Sequence, residues 1–155
     1  FFKESTNACQ SIGARGLVLT KYNDLVPRTL PSNMKHCCFA PFRSLLPLCG
    51  AIVHHGGIGT TAAALEAGCP QLILPLAWDQ PDNAARIKRL GVGGSLPMKR
   101  RSHSHLSQAL ATLMSSEVQT RCRQVATQFS MHDGFSQAAD LIENLHQRRE
   151  QAASS

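Results

Sequence analysis

The sequence predicts an α/β fold built on a doubly wound parallel sheet, and three observations carry that expectation. Short continuous apolar runs of strand length, GLVLT at 16–20, GAIVH at 50–54 and QLILPL at 71–76, alternate with helix-forming segments across short loops. Strands of that kind are buried on both faces, and buried strands joined through helices run parallel. A glycine-rich turn from His54 to Gly59 joins one such strand to a helix, and the carboxyl ends of strands are where sheets of this class bind ligands. From about residue 103 the apolar periodicity is helical to the end of the chain.

Taken in order, residues 1–13 read as a helix with Phe2, Ala8, Cys9 and Ile12 inward and Gly13 as its stop. The strand at 16–20 is followed by a connection containing Pro27, Pro31 and Asn33, then by a weaker strand at 36–40 (HCCFA). A short helix from Arg43 to Leu48 leads to the strand at 50–54. Gly56, Gly57 and Gly59 make a tight turn, and the Ala, Leu and Glu run from Thr60 forms a helix stopped by Gly68 ahead of Pro70. The strand at 71–76 ends in a polar turn at Asp79-Gln80, and Pro81 suits the first turn of a helix reaching Leu90. A last strand lies at about 92–96. Beyond it Leu106, Ala109, Leu110, Leu113 and Met114 form one apolar stripe. Ser116 with Gln119 reads as a capping box for a helix whose inward face is Val118, Cys122, Val125, Ala126 and Phe129. After Gly134, a final helix is marked by Ala138, Leu141, Ile142 and Leu145. Residues 1–150 thus form a single domain, and 151–155 a fraying tail.

The length of 155 residues, with 43% hydrophobic and 17% charged, suits one domain with a real core and excludes a disordered chain. Sixteen Lys and Arg against ten Asp and Glu give a net charge of +6, which favours anionic partners such as phosphorylated ligands. Only 5% of residues are aromatic, too few for a base-stacking surface, so nucleic acid is not expected. No apolar run approaches the roughly 18 residues needed to span a membrane. The six cysteines contain no C-x-x-C pair and are expected as free thiols in a reducing compartment, which points to the cytoplasm. No spacing suggests a metal site, and no metal or other cofactor is expected. The start at Phe1-Phe2 without Met suggests a piece of a longer protein.

Chemistry concentrates at His54 to Thr61. A helix N-terminus carries unpaired amides and a partial positive charge. Glycines let those amides approach a phosphate, and the hydroxyls of Thr60 and Thr61 and the ring of His55 can add donors, so the pattern suits an anion. His54, on the opposite face of the strand, is expected to pack behind the site. The pattern is neither the dinucleotide fingerprint nor a triphosphate loop, whose lysine it lacks. Gly56, Gly57 and Gly59 also admit a second reading, in which they only let strand and helix pack closely.

The run HHGGIGTTAAALEAGCPQLILPLAWDQPDNAARIKRLGVG resembles the donor-binding segment of family 1 glycosyltransferases. It is most similar to bacterial and sterol-type members that use UDP- or dTDP-sugars, densely from about Phe39 to Gly94. The paired histidines, the glycine turn, the Ala-Gly-x-Pro stop and the Asp-Gln pair keep the family spacing. The resemblance implies that His55 contacts the donor diphosphate and that Gly56, Gly57, Gly59 and Thr60 form the turn and helix start that bind it. It implies that Asp79 and Gln80 bind the sugar hydroxyls, Phe39 stacks on the base, and backbone near Phe42 and Arg43 reads the base edge. Asp79 also fits a helix N-cap, Phe39 also fits a strand-end core position, and Trp78 is expected to pack at the strand end. The acidic residue that plant members use on the ribose is replaced by Ala63.

The resemblance further implies a Rossmann-like domain, the C-terminal half of a GT-B fold, with the acceptor site and the catalytic base in an N-terminal domain absent from this sequence. The family's first strand, which would lie between those at 16–20 and 50–54, has no counterpart here. Its absence predicts either a five-stranded sheet whose gap is closed by rearrangement or exchange, or a full-length protein cut here, and self-association through open strand edges is also expected. The implied activity of the whole protein is inverting transfer of a hexose to a small-molecule or lipid hydroxyl, with this chain alone inactive. A nucleotide-sugar epimerase fits the architecture but not the Asp79-Gln80 pair. A non-catalytic nucleotide-sugar-binding module or partner subunit remains the alternative, because every residue named is a binding residue.

Overall fold

The computed structural model describes residues 1–130 and 134–153. Helix α1 (Phe2–Ser11) leads into strand β1 (Gly16–Leu19). Strand β2 (Met34–Cys37) is followed by a short helix α2 (Phe42–Leu45) and a 3-10 turn, then by β3 (Ile52–His54). Helix α3 (Ile58–Glu66), β4 (Gln71–Ile73), α4 (Gln80–Leu90) and β5 (Gly93–Ser95) complete the alternation. Helices α5 (His103–Leu113), α6 (Ser116–Ser130) and α7 (Gly134–Ala153) follow. Of the tail expected to fray, residues 154–155 lie outside the described residues.

Every strand pair is parallel, but the strands form two sheets, β1-β2 and β3-β4-β5. Strands β1 and β3, the two expected to flank the absent one, belong to different sheets and are not paired with each other. Helices cover both faces of the larger sheet, and alternate residues of β4 serve opposite cores. Leu72 and Leu74 pack with Ala8 of α1 and with Leu106, Leu110 and Leu113 of α5. Ile73 packs with Ala84 and Ile87 of α4, Val92, and Cys122 and Val125 of α6. A third cluster of Leu46, Ala64 and Cys69 anchors α2 to α3, with Phe42 against it. Gly93 is required by close approach, because a Cβ there would overlap the Gln71 carbonyl and the Ile87 side chain.

Several expectations shift. Strand β2 begins two residues earlier than 36–40, because Gly16 pairs with Met34 and the buried Met34 side chain fills the space beside that glycine. Phe39 consequently lies beyond the strand. The cap of α6 is Ser115 rather than Ser116, its hydroxyl accepting the Val118 N–H at 3.4 Å. Met114 and Phe129 are exposed, as are Leu141, Ile142 and Leu145 along α7, whose apolar stripe no described element covers. All six cysteines are free, and burial pushes the Cys69 thiol up to about 12, so it stays protonated. Among the described residues, no helix is long and apolar enough to cross a membrane.

Candidate functional site at the carboxyl ends of β3 and β4

The turn between β3 and α3 is built around Gly56. Its φ of +95° is a backbone conformation that glycine adopts without strain, and a Cβ there would lie 2.6 Å from Ile73 Cγ2. Both of its backbone polar groups are held by side chains. The Gly56 N–H donates to His54 Nδ1 at 3.1 Å, and the Gly56 carbonyl accepts from Asn83 Nδ2 at 2.9 Å.

The first of these bonds fixes the tautomer of His54. With Nδ1 accepting, the proton resides on Nε2, which donates to Gln71 Oε1 at 3.0 Å. Gln71, fully buried in β4, passes its amide to the Thr61 carbonyl at 3.3 Å. A buried chain of hydrogen bonds therefore runs from the turn through β3 and β4 into α3. Burial pushes His54 down to about 4, opposed by the bond to Gln71 and assisted by the neighbouring His55, so the ring is neutral at physiological pH. The expectation that His54 packs behind the site agrees with its 7% exposure.

Helix α3 begins after Gly57 with no side-chain cap. Its first backbone bond runs from the Thr61 N–H to the Gly57 carbonyl, leaving the amides of Ile58, Gly59 and Thr60 without intrahelical partners. A Cβ on Gly59 would meet open space, so nothing in the fold demands a glycine there. His55 is exposed, and its ring lies over Gly57, where a Cβ would come within 2.7 Å of Nε2. Thr60 is half-buried in the same turn. Thr61 corrects the sequence-based expectation: it is buried, and its hydroxyl donates back to the Gly57 carbonyl at 3.0 Å rather than outward.

The second half of the site follows β4. Asp79 is exposed and does not cap α4 with its side chain. Instead its Oδ2 accepts from Asn83 Nδ2 at 2.8 Å, and the residue as a whole stays exposed. Asn83, 8% exposed, therefore bonds Gly56 and Asp79 together. Gln80 is buried, with Oε1 accepting the N–H groups of Leu76 at 2.7 Å and Ala77 at 3.2 Å. Its amide NH2 remains as the group able to donate elsewhere. Trp78 overturns the expectation of packing, since 89% of it is exposed.

Phe39, beyond the end of β2, is 77% exposed and not core. Phe42 packs against the α2–α3 cluster. Arg43 pairs with Glu66 at 3.6 Å, in the last turn of α3 and about 9 Å along the axis from Thr60. The structure thus joins His55, Gly56, Gly57, Gly59 and Thr60 to Asp79 and Gln80 through Asn83, and sets the Arg43 side chain apart. A concavity of about 560 Å³ lined by Gly91, Ser116 and Arg121 lies elsewhere, between α4 and α6. Sequence reasoning missed Asn83 and Gln71, although a Gln at a strand position buried on both sides calls for polar partners.

The lowered pKa of His54 has a signed consequence. Between its ordinary value of 6.5 and about 4, the unfolded chain binds a proton that the folded chain does not. The contribution is full above pH 6.5 and is lost as pH falls towards 4, at up to about 1.4 kcal/mol per pH unit. Urea unfolding across this range, compared with His54→Gln, is expected to show the extra acid sensitivity in the native chain alone. Equal pH dependence in both would contradict it.

Comparison with known proteins agrees with this architecture. The chain is 39% identical over 142 residues to an uncharacterized glycosyltransferase of Mycobacterium leprae (strain TN), covering 91% of this chain and 34% of that protein. It is 36% identical over 114 residues to a sterol 3-beta-glucosyltransferase of Arabidopsis thaliana, covering 73% of this chain and 18% of the relative. The crystal structure of the glycosyltransferase VinC, solved in complex with dTDP, superposes with a TM-score of 0.82 at 27% identity, over 94% of this chain and 37% of VinC. The chain thus spans about a third of the length of the first and last of these relatives. The family model described as "Erythromycin biosynthesis protein CIII-like, C-terminal domain" matches residues 17–136. The chain belongs to this family, and its fold is that of the C-terminal half of a GT-B glycosyltransferase.

Proposed function

We propose that this chain is the donor-binding half of an inverting glycosyltransferase, which takes a dTDP- or UDP-sugar and passes its hexose to a small-molecule or lipid hydroxyl. The observation that carries this is the Asn83 bridge, which bonds Gly56, in the turn leading to the uncapped start of α3, and the exposed carboxylate of Asp79. One side suits a diphosphate and the other suits sugar hydroxyls. The complex of VinC with dTDP supports the choice of nucleotide.

In this reading the diphosphate lies against Gly57 and the unpartnered amides of Ile58, Gly59 and Thr60, with the Thr60 hydroxyl and His55 donating to it. Asp79 and the amide of Gln80 take the sugar hydroxyls, and the base lies by Phe39 and the backbone of Phe42 and Arg43. Transfer follows when the acceptor oxygen attacks the anomeric carbon and the nucleoside diphosphate leaves. The start of α3 then stabilises the charge that grows on the leaving group. The base that removes the acceptor proton belongs to the other half of the protein.

Calorimetric titration with dTDP and UDP tests the reading. His55→Ala is expected to weaken binding of the preferred nucleotide by about tenfold or more, the range for a bond to a charged group. Undiminished affinity would place the diphosphate elsewhere. In a transfer assay, the 155-residue chain is expected to bind donor without glycosylating any hydroxylated acceptor, and measurable transfer would show that it carries a base of its own.

A further inference from the structure

Trp78 is the only tryptophan of the chain, and it combines two unfavourable features. Its side chain is 89% exposed, leaving a large apolar surface in water. Its backbone has φ +56°, and it is the one non-glycine residue with positive φ among the described residues. A residue with a Cβ is strained there, and such strain persists only where the surroundings over-determine it.

The surroundings do so. Gln80 Oε1 takes the N–H groups of Leu76 and Ala77 on one side of Trp78. Arg101 Nη2 donates to the Pro75 carbonyl at 2.6 Å, and Asn83 holds Asp79 on the other side. The loop is clamped before and after Trp78, so the indole is displayed by a fixed frame. Leu76, 63% exposed, adds apolar surface beside it.

Position in the chain indicates the occupant. Trp78 is bonded to Asp79, so their Cα atoms lie about 3.8 Å apart, well within the span of a pyranose ring. A hexopyranose has hydroxyls around its edge and an apolar C–H face. Asp79 and Gln80 match the first, and the electron-rich face of an indole matches the second.

We propose that Trp78 is a specificity-determining residue for the donor sugar, its indole stacking on the apolar C–H face of the hexopyranose whose hydroxyls Asp79 and Gln80 bind. The proposal rests on the donor-binding reading above and adds a contact to the sugar, distinct from the diphosphate.

Because the chain has a single tryptophan, its emission reports on this contact directly. Titration with dTDP and with dTDP-glucose, followed in parallel by calorimetry and by tryptophan fluorescence, is expected to give heat with both ligands but an emission change with dTDP-glucose alone. Trp78→Gly, which removes the ring and relieves the backbone, is expected to raise the midpoint of unfolding. It should also reduce the affinity gain of dTDP-glucose over dTDP by about five- to tenfold, in the range of an aromatic stacking contact. Trp78→Phe is expected to keep most of that gain. Heat with both ligands and an emission that is unchanged, or that changes equally with dTDP, overturns the proposal and leaves the donor-binding reading standing. Absence of heat with these ligands and equally with UDP and UDP-glucose overturns both. A Trp78→Gly chain that is less stable and keeps the full sugar gain assigns Trp78 to the fold instead.

Discussion

The candidate site depends on how Gly56 is held. Its N–H is taken by a histidine of β3 and its carbonyl by an asparagine of α4, so the turn is fixed to two elements that are separate in sequence. Only a left-handed residue without a Cβ satisfies both bonds beside Ile73. The direction in which α3 leaves the sheet follows from that turn, and with it the direction of the three unpartnered amides at the helix start. Asn83 extends the same constraint to Asp79. A phosphate-sized anion and a polyhydroxylated ring could then be met by groups whose spacing the fold has already set, which limits the ordering cost of binding.

Buried and exposed polar groups divide the work along clear lines. His54, Gln71, Thr61 and Asn83 are buried, and their hydrogen bonds close within the fold. His55, Gly59 and Asp79 face solvent around them. An inward-facing polar group in a core must be paired, and each pairing here also braces an outward-facing neighbour. Gln80 shows both roles in one side chain, its carbonyl spent on the loop and its amide left over. Trp78 sits at the limit of this arrangement, as a strained and exposed residue on a braced loop.

Much of the fold was legible because strand and helix periodicity report burial, and burial is what the apolar runs at 16–20, 50–54 and 71–76 encode. The turn at Gly56 to Gly59 was legible because glycine has few other reasons to cluster between a strand and a helix. Family spacing supplied Asp79 and Gln80. The break in the sheet was legible only as a missing strand, since two half-sheets and one continuous sheet have the same local pattern. Strand β2 was misplaced because HCCFA is more apolar than MKHC, although the packing that matters is Met34 against Gly16. Thr61 was misassigned because sequence does not say which of two adjacent hydroxyls turns inward. Asn83 escaped notice because its partner Gly56 is 27 residues away, and helix propensity is silent about such a bond. Trp78 is expected to pack at the strand end, and local pattern does not show the left-handed backbone and the exposure that the structure gives it.

The central claim is that the start of α3, braced through Gly56, receives the donor diphosphate. The most direct measurement is titration of the ¹⁵N-labelled chain with dTDP, followed by amide chemical shifts. The account predicts that the largest shifts fall on Gly57 and on the unpartnered amides of Ile58, Gly59 and Thr60, with Gly56 following through its bonds to His54 and Asn83. Largest shifts along the Gly91 to Arg121 concavity between α4 and α6, with the α3 amides unmoved, would contradict it.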